Sequence, residues 1–381
     1  MKIALIRQRY NSFGGAERFV ERAMAALTRQ DVELTLLTRA WPEGTETGPG
    51  KGRRVIRCDP FYLGRVWRDW SFARAVCAAL KSQEFDLVQS HERIACCDVY
   101  RAGDGVHRQW LAHRKRAAGV WERVALALNP YHWYTLAAER RLFESKRLRA
   151  VICNSNMVKE ELRRYFGLTE QKMRVIYSGV DLAAFHPELR QVWRSRKREE
   201  LGITEAAMVF AFVGSGFRRK GLPQLLRALT AVRDAHLIVV GADKELPRLS
   251  RVAEQLKLAG RVHFAGGQED VTPWYGMADC FVLPTLYDPF PNAALEAMAC
   301  GLPLVTSAQC GAAELIESGV EGYVCRDPLD VVELARCLNL AAAPGQAQRM
   351  GAAARRKVEP LGLERMAQQL TGLYAELTQA R

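Results

Sequence analysis

Short apolar runs and stretches of helical spacing follow one another along almost the whole chain. Residues 2–6, 32–38, 85–90, 151–154, 208–213, 236–240, 280–283 and 304–307 are short, mostly apolar runs. That is the pattern of strands covered on both faces. Between them, apolar residues recur at helical spacing, as at Phe19, Val20, Ala23, Met24 and Leu27. Further helices are expected up to residue 166 and at 71–80, 191–200, 222–229, 292–300, 329–340, 352–358 and 363–377. Weaker runs at 55–58, 98–101 and 262–264 read as short or edge strands. This alternation predicts an α/β protein with parallel sheets, in two Rossmann-like halves.

The stretch 285–306, TLYDPFPNAALEAMACGLPLVT, carries the most chemistry. A strand ends at Pro284, and a loop bearing Asp288 feeds a helix that starts near Asn292. Gly301 closes that helix and Pro303 blocks its continuation. Pro289 and Pro291 keep Asp288 out of the helix that carries Glu296. Two carboxylates flanking a helix N-terminus suit a ligand with two hydroxyl-rich ends and an anionic middle. A sugar nucleotide has those three parts.

Two other loops suit the same ligand. Residues 214–221, GSGFRRKG, follow a strand and place Arg218 and Lys220 where fixed cations meet a diphosphate. Gly14 and Gly15 sit in the first strand-to-helix turn, where backbone can approach a phosphate. His91 follows the strand at 85–90 and would face the same crevice as Gly14 and Gly15, although a loop His is commonly only a surface residue. Asp104 lies in a Gly-Asp-Gly turn, where a turn role is the plain alternative.

The run from Asp288 to Val305 resembles the E-x7-E block of the retaining glycosyltransferases of family 4, which have the GT-B fold. Asp288 stands where that family has Glu, one methylene longer, and Glu296 matches directly. The similarity extends to Gly14-Gly15, to the segment 178–187 with Ser178 for Asn, to 274–279, and to Cys310-Gly311 with Glu314. The resemblance implies two Rossmann-like domains facing each other across a cleft. An acceptor domain would span 1–178, with 361–381 crossing back to it, and a donor domain 179–360. It implies transfer of a sugar from a nucleoside diphosphate donor, a UDP-sugar being commonest, with retention at the anomeric carbon. Arg218 and Lys220 would bind the diphosphate, Asp288 the sugar and Glu296 the ribose. Gly266 and Gln268 would lie by the base, His91 near the reacting centre and Asp104 by the acceptor. No two aspartates stand two positions apart, so there is no D-x-D metal motif, and a metal-independent reaction without a cofactor is expected.

Charge narrows the acceptor. Residues 1–180 hold 32 Lys and Arg against 19 Asp and Glu, while the remainder has 23 of each. A basic first half implies an anionic partner. Trp110, Leu111, Trp121, Val124, Leu126 and Leu128 interleave with Arg108, Arg114, Lys115, Arg116 and Arg123, and 61–70 has the same character. Basic residues among Trp and Leu are the pattern of a helix lying at a membrane surface, although a core helix with a solvated basic face would look alike. The chain also resembles bacterial lipopolysaccharide core glucosyltransferases. A membrane-associated anionic glycan is therefore the expected acceptor, with the enzyme peripheral on the cytoplasmic face of the inner membrane. None of the ten cysteines forms a C-x-x-C pair, so reduced thiols and no disulfide are expected. Two other classes stay open: a GT-B sugar-nucleotide epimerase, and a non-enzymatic binder of anionic polymers such as nucleic acid, for which no motif is present.

Overall fold

The computed structural model describes residues 1–9, 32–40 and 53–379. The helix expected after Gly15, and most of the loop expected at 39–52, lie outside the described residues. Two compact units make up the chain, Met1–Gly179 with Leu363–Arg381, and Val180–Gly362.

The first unit is built on strands β1 (Lys2–Ile6), β2 (Glu33–Thr38) and β3 (Arg53–Arg57), then helix α1 (Gly64–Ala79). Next come β4 (Leu87–Ser90), β5 (Val99–Arg101) and three helices, α2 (His107–Arg116), α3 (Val120–Leu128) and α4 (Pro130–Phe143). Strand β6 (Ala150–Cys153), helix α5 (Asn156–Phe166) and β7 (Met173–Val175) complete the order. The sheet runs β3-β2-β1-β4-β5-β6-β7, with every pair parallel. Side chains alternate across a strand, so each face needs its own cover. Ala4 and Ile6 share a cluster with Phe72, Val76, Leu142 and Leu162 from α1, α4 and α5. Ile3 and Leu5 face the other way, toward Met366, Leu370, Leu373 and Tyr374 of the terminal helix Leu363–Gln379. The Tyr374 hydroxyl donates to Gln89 Oε1 at 2.6 Å.

Two expectations are corrected here. The basic segment from His107 is not one helix. Gly119 starts α3, and the Asn129 side chain caps α4 by accepting from the Tyr131 amide, with Pro130 at the first turn. The cysteines are not all thiols. Cys77 on α1 and Cys96, after β4, form a disulfide with Cα atoms 6.0 Å apart, while the other eight are buried thiols. Their spacing of 19 residues matches no short motif, so only the fold brings them together.

The second unit opens with α6 (Leu189–Glu200), β8 (Met208–Val213), α7 (Leu222–Leu229), β9 (Ala235–Val240) and α8 (Leu246–Gln255). Then come β10 (Val262–Gly266), α9 (Thr272–Met277), β11 (Cys280–Leu283), α10 (Asn292–Ala299) and β12 (Leu304–Ser307). Strand β13 (Gly322–Cys325) and helices α11 (Val331–Ala342) and α12 (Gln346–Val358) follow, before α13 (Leu363–Gln379) returns to the first unit. The six-stranded parallel sheet runs β10-β9-β8-β11-β12-β13. Its order reverses between β8 and β11, the point in an open α/β sheet where a crevice forms.

Asp279, just before β11, anchors α6 to this sheet. Its carboxylate accepts from Arg198 at 2.7 Å, Arg194 at 2.7 Å and Arg190 at 2.9 Å, and from the Val209 amide at 2.9 Å. Burial pushes the carboxyl up, but Arg198 and Arg194 outweigh it and hold the group below the usual carboxylate range. Among the described residues no helix is long and apolar enough to cross a membrane.

Candidate functional site

The loops after β8 and β11 meet at the reversal point of the second sheet. Gly221 sits at φ +80°, and a Cβ there would stand 1.9 Å from the Pro284 carbonyl oxygen. Only glycine lets the two loops approach this closely. The Arg219 carbonyl then accepts from the Leu286 amide at 2.7 Å and the Thr285 hydroxyl at 3.0 Å. The end of the first loop is thereby stitched to the start of the second.

Asp288 lies at the end of that seam. Its backbone is held on both sides, donating to the Gln309 carbonyl at 3.1 Å and accepting from the Gly311 amide at 2.9 Å. Its side chain is buried, and one oxygen, Oδ2, accepts from Arg219 at 2.9 Å and from Lys220 at 3.3 Å. Burial raises the carboxyl, yet Lys220 and Arg219 together bring it below its ordinary value. Burial lowers the Lys220 ammonium, with Asp288 opposing. Two cations therefore face one carboxylate, leaving one net positive charge beside it.

The guanidinium that meets Asp288 belongs to Arg219, which sequence reasoning passed over in favour of Arg218. Arg218 is exposed one position earlier. Arg219 adjoins Lys220 in the chain, and that adjacency was the available signal. Two amides of the glycine-rich loop are already engaged: Gly216 and Phe217 both donate to Asp243 Oδ2 at 2.8 Å. Asp243, after β9, thus shapes the loop that carries the cations Arg219 and Lys220. Gly214 leaves room for Lys220, since a Cβ there would lie 2.7 Å from the lysine Cε.

Helix α10 begins at Asn292, and Glu296 is buried one turn on. Tyr275 from α9 donates to Glu296 Oε2 at 3.2 Å, orienting a carboxylate that sequence reasoning had placed without its partner. Gly266 ends β10 with φ +70°, and Gln268 donates to the Ala265 carbonyl at 2.7 Å. Gly214, Arg219, Lys220, Asp288 and Glu296 thus all sit on elements at the carboxyl ends of β8 and β11. Gly14 and Gly15 lie outside the described residues. Among the described residues no group of three or more His, Cys, Asp or Glu is placed to hold a metal ion.

In the first unit, His91 directly follows β4 and is buried. Its amide donates to the Ile6 carbonyl at 3.0 Å, and its Nε2 lies 3.1 Å from Gln89 Nε2. Burial, then Arg101 and Arg7, hold the imidazole well below its ordinary pKa, so it is neutral at pH 7. Asp104 is largely exposed and lies 3.6 Å from Arg93, whose Nε donates to buried Glu139 at 2.9 Å. Glu139 also accepts from the His107 amide at 2.9 Å, so it ties Arg93 to the start of α2.

Comparison with known proteins agrees with this architecture. Residues 13–184 match the family described as Glycosyltransferase Family 4, and residues 194–357 match Glycosyl transferases group 1. A D-inositol 3-phosphate glycosyltransferase of Corynebacterium jeikeium is 30% identical over 352 residues, which span 83% of this chain and 81% of that protein. The lipopolysaccharide glucosyltransferase WaaG of Escherichia coli is 26% identical over 349 residues, 90% of this chain and 89% of that protein. A crystal structure of WaaG superposes with a TM-score of 0.82 at 22% identity, covering 98% of this chain and 99% of the other. Anabaena HepE, in complex with UDP and glucose, superposes with a TM-score of 0.73 at 20% identity, covering 99% and 100%.

Proposed function

The chain belongs to the family 4 glycosyltransferases of the GT-B fold, and from that premise we propose that it moves a sugar from a UDP-sugar to a membrane-associated anionic glycan, with retention of anomeric configuration. The observation that carries the reading is the buried Asp288 held by Arg219 and Lys220, with Glu296 on the next helix. The barrier to transfer lies in expelling the diphosphate as negative charge builds on it. Arg219 and Lys220 supply the preorganised positive charge, worth roughly 3 kcal/mol for one such donor. Arg218 stands at the edge of the same loop. Asp288, its carboxylate fixed by two cations, accepts from the sugar hydroxyls, and Glu296, oriented by Tyr275, accepts from the ribose. Gly266 and Gln268 lie on the base side, and the N-terminus of α10 at Asn292 adds amides toward the diphosphate.

Positive side chains take the place of a divalent metal in this reading, in keeping with the lack of a D-x-D motif. His91, neutral and buried, would act by hydrogen bonding near the reacting centre, and Asp104 by contact with the acceptor. The leaving phosphate takes the acceptor's proton.

The lipopolysaccharide core is the acceptor we favour, by analogy with WaaG and because the basic excess is confined to the first half. Helix α3 supports a membrane-surface site: Val120, Trp121 and Leu128 are 72%, 84% and 71% exposed. Arg114, Lys115 and Arg116 end the preceding helix. Such a face matches an enzyme peripheral on the cytoplasmic leaflet.

The test is a metal-free panel of UDP-, GDP- and ADP-sugars. Stabilisation by a UDP-sugar, followed by transfer to a deacylated core oligosaccharide, is expected. Conversion of the sugar nucleotide without any acceptor would instead identify an epimerase. No stabilisation by any donor would sink the enzyme reading.

A further inference from the structure

We propose that the first unit holds one acyl chain of an anionic membrane lipid in a pocket between α1 and α4. The inference rests on the membrane part of the proposed function and on none of the donor residues. The pocket has a volume of about 480 Å³, a usual size for a small-molecule site. Space remains there because the side chains at the junction are small: Ala73 and Cys77 on α1, and Ala138 on α4. The Cys77–Cys96 disulfide ties α1 to the segment after β4 that carries Ile94, another lining residue.

The charged residues that line the pocket are all basic. Arg74, Lys81 and Arg141 line it and are exposed, and no Asp or Glu occurs among the described residues that line it. Arg93 also lines it, but is drawn to Glu139 and Asp104. The Arg74 guanidinium sits over the Trp70 ring, 5.1 Å from its centroid, so one cation is held against an apolar wall.

The same helix displays a graded stripe. Trp67, Trp70, Arg74 and Cys77 recur every three or four residues and so share one face, with Leu63 just before the helix and Lys81 in the turn just after it. Leu63 is 75% exposed, and Trp67 and Trp70 are each 43% exposed. Apolar at one end and cationic at the other, the stripe fits an amphiphile with a chain and an anionic head. The chain lies against Trp70 and Ala73, and the phosphate meets Arg74, Lys81 and Arg141.

The experiment uses the full chain without sugar nucleotide and dihexanoyl phosphatidylglycerol below its micelle concentration, followed by calorimetry. Saturable binding is expected, at least about tenfold weaker for dihexanoyl phosphatidylcholine. Ala138→Phe, which fills the pocket, should weaken binding by a similar factor. Because a core substitution can disturb folding, Arg74→Ala with Lys81→Ala, both exposed, gives a second reading and should also cut affinity about tenfold. A phosphatidylglycerol with brominated chains should quench fluorescence in the native chain and less in Trp70→Phe.

Equal binding of the two lipids, unchanged binding in the folded variants, or equal affinity for glycerol phosphate alone would overturn the proposal. So would an absence of binding. Loss of lipid binding in a protein that a UDP-sugar still stabilises would sink this inference alone. Lipid binding without any donor binding would sink only the enzyme reading.

Discussion

The Lys220 ammonium lies 3.3 Å from Oδ2 of Asp288, the same oxygen that the Arg219 guanidinium reaches at 2.9 Å. Lys220 and Asp288 are both buried, so their charges are coupled with little screening by water. Asp288→Ala would leave Lys220 buried without its counter-charge. The expected loss is about 3 kcal/mol, read from the denaturant midpoint. Adding Lys220→Met should restore part of it, because the stranded cation goes with the carboxylate. Strict additivity of the two losses would show that the pair does not interact.

Arg219 and Arg218 are neighbours in sequence but differ in position. Arg219 touches Asp288 and the Tyr287 carbonyl, and its own carbonyl is fixed by Leu286 and Thr285. Arg219→Ala should lower kcat about 10²–10³-fold. Arg218→Ala, at the exposed position, should cost far less. Steady-state kinetics of the two variants decide this, and a larger loss in Arg218→Ala would return the diphosphate role to Arg218.

Tyr275 reaches Glu296 across 21 positions of sequence, donating at 3.2 Å. The hydroxyl orients the carboxylate assigned to the ribose. Tyr275→Phe keeps the ring, which packs edge-on against Phe281 and Phe185, and removes only the hydroxyl, which also lies 3.3 Å from the Ala293 carbonyl. Donor affinity should fall about fivefold, the worth of roughly 1 kcal/mol, with little change in kcat. A change in kcat with donor affinity intact would place Glu296 elsewhere in the reaction.

These partners show what was legible beforehand. The strands Cys280–Leu283 and Leu304–Ser307, and the helix Leu222–Leu229, match their expected limits because each is bounded by turn residues, the strands being buried throughout and the helix along its leucine face. Helices α8 and α9 went unread, and α9 has six residues, too few for a periodic signal. The carboxylates Asp288 and Glu296 were readable from the block around them. Lys220 was read from its loop, but Arg219 and Tyr275 were not, since they lie tens of residues from the carboxylates they reach and only the fold brings them close; Asp243, which holds the Gly216 amide, was missed for the same reason. The same holds for the Asp279 clamp, whose three arginines lie on α6.

Histidines set the expected acid limb of stability. Burial first, with nearby Arg101 and Arg7, lowers the His91 pKa well below 6.5. Burial, then Arg93 and His132, lowers His107 to about 3, and its Nε2 lies 3.1 Å from Nδ1 of His132. A His whose folded pKa is depressed binds fewer protons folded than unfolded. Its contribution is complete above the unfolded value of about 6.5 and is lost as pH falls toward the folded value. Stability should therefore begin to drop below about pH 6.5. Asp279 and Asp288, also depressed, add a further loss only below about pH 4. Urea midpoints at several pH values test this, and His107→Phe should flatten the upper part. A profile level down to pH 5 would contradict the buried neutral imidazoles.

The Cys77–Cys96 bond closes a segment with a sequence separation of 19 that runs from α1 through β4 to the loop bearing His91. A loop of that length stabilises by about 3 kcal/mol in the chain-entropy model. Cys97, next along the chain, is not an alternative partner: it is buried, donates to the Ile94 carbonyl, and burial pushes its thiol up to about 12. A thiol so raised carries little thiolate and exchanges slowly. Alkylation of the denatured, unreduced protein should therefore label eight cysteines, and all ten after reduction. Cys77→Ser and Cys96→Ser should each lower stability by about 3 kcal/mol without reductant and match the parent chain with it. Labelling of ten cysteines before reduction would leave α1 and the His91 loop joined by packing alone, and the two serine variants would then lose stability equally with and without reductant.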